Sequence, residues 1–189
     1  MASVDDVAAA ILDCTGPLDT LKLEKLIYYT QAWAAAWHDE ALFDERIEAW
    51  ADGPVVRELF NRHKRLHFVS LRSFPGADAH RLPAWGRTVV RFVCGYYGHM
   101  TGAELRDRTH SEKPWTEARR REGLRDGQPG TAEIPVDALR DFYRTQEPHD
   151  QRWYWNEEWQ KGEAEAAADV ENGRTAVYKS DEDFLASFG

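Results

Sequence analysis

The sequence predicts a mainly α protein: a compact multi-helix domain with at most a small β element, followed by a C-terminal helix–strand–helix tail. Three observations support this. Apolar residues recur at helical spacing through most segments before residue 146. Capping residues stand at several segment starts. Runs with strand character are short and few, at 47–50 and 174–179.

The elements follow in order. Residues 3–13 form a predicted helix, with Ser3 as cap, Asp5 and Asp6 in the first turn, and Val4, Val7, Ala8, Ile11 and Leu12 on one face. Gly16-Pro17 stops it. Residues 18–37 form a longer helix whose apolar stripe runs from Leu21 to Trp37, with Lys22, Glu24 and Lys25 expected to face water. Asp39-Glu40 ends this helix, and 47–50 read as extended. At Asp52-Gly53-Pro54 the glycine frees the backbone and the proline suits a first helical turn. A helix is therefore expected over 54–66, with Val55, Leu59, Phe60 and Leu66 inward. A loop over 67–81 and a buried helix over 83–98 follow. Thr101 and Glu104 make a capping box for the next helix, and Pro114-Trp115 opens another. After the turn-rich 126–130, a last core helix covers 135–145 through Val136, Leu139, Phe142 and Tyr143. In the tail, a polar helix over 156–170 stops at Asn172-Gly173, and Ser180 caps a final short helix.

A chain of 189 residues has room for one domain with a hydrophobic core plus an appendage. With 42% hydrophobic and 30% charged residues, wholesale disorder is excluded. Eight Trp require a filled core or an aromatic contact surface. The net charge of −9 repels nucleic-acid phosphates, which argues against nucleic acid as a partner and favours a basic protein surface. The acidity concentrates after Pro148-His149-Asp150, where 150–189 hold ten acidic residues against four basic ones. Two units are therefore expected, a helical domain over 1–149 and an acidic, aromatic extension over 150–189 too poor in apolar groups to fold alone. Cys14 and Cys94 read as reduced, buried thiols, and no CxxC pair anchors a zinc site. No apolar run reaches membrane-span length, and the N-terminal apolar stretch follows acids rather than a basic leader. A cytoplasmic location is expected, and homo-oligomerisation stays open.

Few groups suggest chemistry. His63 and His67 have i, i+4 spacing, but the neighbouring Arg57, Arg62, Lys64, Arg65 and Arg72 would repel a cation, so a basic patch is expected rather than a metal site. Asp107, His110 and Glu112 are close in sequence, yet no nucleophile stands beside them, and a structural role for His110 is favoured over hydrolysis. No nucleophile elbow or phosphate-binding loop is present. The expectation is a protein with no catalytic, cofactor or metal residues. In the tail, Trp153, Trp155, Trp159, Tyr178, Phe184 and Phe188 either dock the segment on its own domain or anchor a partner.

The stretch from Leu23 to Trp33 (L-E-K-L-I-Y-Y-T-Q-A-W) and the element Ala49-Trp50-Ala51-Asp52-Gly53-Pro54-Val55 resemble the Panacea domain of the SocA-like antitoxins. A second block, with Thr109-His110-Ser111-Glu112 and Pro114-Trp115, is similar as well. The likeness covers roughly residues 5–120. It implies a helical bacterial or phage antitoxin that neutralises a cognate toxin by direct binding, and the acidic charge suits a basic contact surface on that toxin. In that reading Tyr28, Trp50, Gly53, Pro54, Val55, His110 and Trp115 define the fold. The alternatives are an adaptor that delivers a partner to a protease and a hydrolase built on His110. The segment 169–185 is also similar to toxin-binding ends of other antitoxins.

Overall fold

The computed structural model describes residues 2–146. Its organising element is helix α2, Thr20–His38, in which every residue from Leu23 to Ala36 is buried. A helix that is apolar nearly all round must be enclosed on all sides. Here α1 (Val4–Thr15), α4 (Ala84–Tyr97), α5 (Gly102–His110) and α7 (Val136–Tyr143) pack against it. Glu24 and Lys25, expected in water, are therefore in the core. Enclosure of the whole circumference overrides the polar face that periodicity assigns.

Local chemistry sets the helix ends. Ser3 and Asp6 form a reciprocal capping box on α1, and Thr101 and Glu104 form one on α5. The Asp19 carboxylate accepts from Lys22 N and caps α2. Asp39 ends that helix in the left-handed region, at φ 58°. Gln31 then ties the following loop to the helix: its amide donates to Phe43 O at 2.8 Å and accepts from Leu42 N at 2.9 Å.

Two small antiparallel sheets complete the domain. In the first, β1 (Leu18–Asp19) pairs with β4 (Phe68–Val69). In the second, β2 (Ile47–Trp50) and β3 (Gly53–Val56) form a hairpin in which Trp50 faces Gly53 and Ile47 faces Val56. Residues 132–134 extend this hairpin through Ala49 N to Ala132 O and Ile134 N to Ile47 O. Pro54 thus lies in a strand, and α3 begins only at Arg57 and runs to His63. Proline's fixed φ suits an extended residue as well as a helix start. The β-branched Val55-Val56 pair, matched by Glu48 and Ile47 opposite, decides for the strand. Because α3 stops at His63, Leu66 is not inward but 44% exposed. The expected loop over 67–81 holds β4 and two 3₁₀ turns, Leu71–Ser73 and Ala79–Arg81. Helix α6, Lys113–Arg121, opens with Pro114 in its first turn.

Seven α-helices and these two sheets account for the regular structure among the described residues. Cys14 and Cys94 carry free thiols, but neither is fully buried: Cys14, in the last turn of α1, is exposed, and Cys94 is half-buried. The boundary expected at 149/150 and the tail lie outside the described residues.

Candidate functional site

The ionisable groups of α2 hold the hairpin. Lys25 is fully buried and donates from Nζ to Pro54 O at 3.0 Å. Burial pulls its pKa down to about 8, against the pull of Glu24 and Asp52. Glu24 accepts from Val56 N at 3.0 Å through Oε2, and its Oε1 lies 2.7 Å from Nε2 of the buried His63. One helical turn therefore fixes both the β3 backbone and the end of α3. Gly53 makes the approach possible. Its φ is +98°, and a Cβ there would lie 2.7 Å from Lys25 Cε.

The other face of the hairpin is held by α5 and α6. Trp115 Nε1 donates to Trp50 O at 3.0 Å. His110 stacks on Trp115, with ring centroids 4.0 Å apart and planes 10° from parallel. Burial, with Lys25 and Arg106, lowers the pKa of His110, which is therefore neutral at pH 7. Arg119 is buried beneath this layer and donates to Ala49 O, Arg125 O and Gln128 O at 2.7–2.9 Å. It ties together the hairpin and the 125–128 turn, with three backbone carbonyls accepting from its N–H groups.

Deeper in the core, Glu112 accepts from Tyr143 OH at 2.6 Å, Tyr29 OH at 3.2 Å and Tyr28 OH at 3.4 Å. Arg108 Nε stands 3.6 Å away. Burial outweighs these favourable partners and raises the Glu112 pKa to about 7. The same burial pushes all three phenols upward, so they remain donors.

These contacts separate the groups that had suggested catalysis. Asp107 pairs with Arg106, Glu112 turns to the tyrosines, and His110 stacks on tryptophan. His63 and His67 are also parted, since the helix ends at His63 and only that residue is buried. Of the expected basic patch, Arg57 is bound by Glu48 at 2.6 Å and Arg62 faces Asp5 at 3.4 Å, while Lys64, Arg65 and Arg72 are exposed. Tyr28, Trp50, Gly53, Pro54, Val55, His110 and Trp115 all lie in or against the hairpin and its two clamps. Trp153, Trp155, Trp159, Tyr178, Phe184 and Phe188 lie outside the described residues.

Sequence reasoning missed Glu24, Lys25, Arg119 and the tyrosine acceptor role of Glu112. A usable signal for the first two was present: apolar residues from Leu23 to Trp33 fall on all sides of the helix, leaving no face for two charges. Beside the hairpin a cavity of about 550 Å³ opens, walled by Trp50, Phe60, Arg57 and Thr131, with Glu24 and Lys25 at its base. The Arg57 guanidinium lies 5.3 Å over the Trp50 ring and Phe60 meets that ring edge-on. No group of three or more His, Cys, Asp or Glu converges to hold a metal among the described residues.

This arrangement defines a class: a helical scaffold domain whose buried ionisable groups clamp one hairpin between a central helix and a flanking helix pair. Residues 23–116 match the family model described as "Antitoxin SocA-like, Panacea domain", a span that starts in α2 and ends just past Trp115. The chain thus carries a Panacea domain of the SocA-like antitoxin family. No curated protein and no solved structure shows a significant match. No helix among the described residues is long and apolar enough to cross a membrane.

Proposed function

We propose that this protein is an antitoxin that neutralises a cognate toxin by direct protein–protein binding and catalyses no reaction itself. The family match over 23–116 carries the reading. The geometry supports it in kind. Lys25, Glu24 and Arg119 are engaged in holding backbone, Glu112 is engaged by three tyrosine hydroxyls, and the His110 ring lies against an indole rather than beside a nucleophile. We assign the acidic segment 150–189 as a contact for a basic toxin surface, with Trp155, Trp159, Tyr178 and Phe184 as anchors.

The test is co-expression with the product of the adjacent reading frame in cells that this product arrests. The full chain restores growth, and His110→Gln restores it equally. A chain ending at residue 149 rescues less well. Failure of the full chain to rescue refutes the antitoxin reading. Loss of rescue on His110→Gln, with the melting temperature unchanged, favours catalysis. Full rescue by the shortened chain removes the tail assignment alone.

A further inference from the structure

The three exposed large apolar side chains among the described residues fall within six positions: Leu66 at 44%, Phe68 at 70% and Leu71 at 47% exposure. Phe68 is the extreme case. Its strand neighbour Val69 is 1% exposed, so β4 turns one residue into the core and holds the next out in solvent. Scattered single apolar residues on a surface need no explanation, but a local group of three does.

The charge around the group is equally uneven. Between Glu58 and Asp78 there is no acidic residue, although the chain as a whole carries −9. The same interval contains Arg62, Lys64, Arg65 and Arg72. All four are exposed, and none of Lys64, Arg65 and Arg72 is paired with a carboxylate among the described residues. Along the chain the apolar group is thus interspersed with exposed cations in an otherwise acidic protein, and the acid beside it is Asp19, opposite Phe68 in the strand pair and engaged in capping α2. Two copies of this chain meeting through the patch on a two-fold axis would bring like charges together, which disfavours a self-contact.

We infer that the surface built from Leu66, Phe68 and Leu71 with Lys64, Arg65 and Arg72 is a docking site for an acidic protein surface with an apolar recess that receives Phe68. It rests on the antitoxin reading, in which the partner is the toxin. It supplies a contact on the helical domain itself, of opposite polarity to the acidic segment. The apolar centre contributes affinity and the cations contribute association rate and orientation. Nucleic acid fits less well, because the net charge of −9 opposes its approach.

The experiment titrates the full-length chain with the purified product of the adjacent reading frame at two salt concentrations. Phe68→Asp weakens binding by about tenfold or more, as removal of a central aromatic anchor does. Lys64→Glu/Arg65→Glu weakens it further at low salt than at high salt. Because Phe68 faces Asp19 across the strand pair, Phe68→Asp sets two carboxylates opposite each other, so Phe68→Ser is titrated beside it, with the same loss expected, and the melting temperature of each variant is compared with that of the wild type. If the wild type binds and all three variants bind within twofold of it, the surface assignment is overturned while the antitoxin reading stands. If the wild type does not bind, the antitoxin reading fails and this surface with it. If the wild type retains a 20-base-pair duplex that Lys64→Glu/Arg65→Glu releases, and all three variants still bind the protein product, the patch is a nucleic-acid surface and the inference is overturned.

Discussion

Replacing Glu112 by glutamine should flatten the stability of this domain between pH 4.5 and 7. In the fold, the Glu112 pKa is raised from 4.5 to about 7, chiefly by burial. The folded state therefore holds this proton more tightly than the unfolded chain does. The protonated form favours folding, and its contribution is present in full below 4.5 and lost as pH rises through about 7. A rise of that size corresponds to about 3 kcal/mol. Asp6 and Glu48, whose pKa values are lowered, contribute oppositely and at more acid pH. His38 and His110, also lowered, oppose the slope within the window, so the readout is the difference between wild type and variant. Glutamine keeps the shape of the protonated acid and an oxygen for the Tyr143 hydroxyl, but does not titrate. Urea unfolding at half-unit steps from pH 4.5 to 8 measures the difference. The variant is close to wild type at pH 4.5 and gains on it by about 3 kcal/mol at pH 8. Parallel curves for the two proteins would show that Glu112 is already ionised across the window, and that its three phenol donors and Arg108 outweigh burial.

Two further predictions concern local geometry and thiol chemistry. Gly53→Ala places a Cβ 2.7 Å from Lys25 Cε at a φ of +98°. It should lower stability by about 2 kcal/mol or more, whereas Gly95→Ala, in α4 with open space around it, should leave stability unchanged or raise it by about 0.5–1 kcal/mol. Calorimetric melting separates the two, and equal effects would refute the Lys25 contact. The neighbouring Cys94 thiol draws the pKa of the exposed Cys14 thiol down to about 7. Iodoacetamide should therefore modify Cys14 with a rate midpoint near pH 7, and Cys94→Ala should move that midpoint toward the ordinary value of about 8.5. An unmoved midpoint counts against the pairing of the two thiols.

What could be read from the sequence is what short-range chemistry decides. The capping boxes of Ser3 with Asp6 and of Thr101 with Glu104 are visible because both partners lie within one turn. The extended stretch at 47–50 and the helix opened by Pro114 are visible for the same reason. Errors arose where distant residues decide. Glu24 and Lys25 find their partners in the core, Val56 N and Pro54 O, about thirty positions later. Pro54 itself is compatible with both a helix start and a strand, and the pairing of the following Val55 and Val56 with Glu48 and Ile47 distinguishes them. Glu112 sits two residues from His110 and invites an acid–base reading, yet its partners come from α2 and α7. Burial around a carboxylate is a property of the assembled helices, and no window of sequence contains it. The cationic stretch after Glu58 was legible as charge, but the exposure of Phe68 depends on which way β4 faces.

The Glu112 cluster also sets an order of events at the ribosome. Tyr28 and Tyr29 are synthesised more than eighty residues before their acceptor, and Tyr143 a further thirty-one residues after it. Until Glu112 arrives, the two α2 phenols have no carboxylate to bond, and burying them costs free energy. Packing of the central helix is therefore weaker while the chain is growing than after its C-terminal partners arrive. Such long-range closure slows folding and keeps apolar surface open in the nascent chain. A chain interrupted before α7 would present that surface to proteases and chaperones, so the length of time spent half-made becomes a determinant of how much finished protein a cell holds.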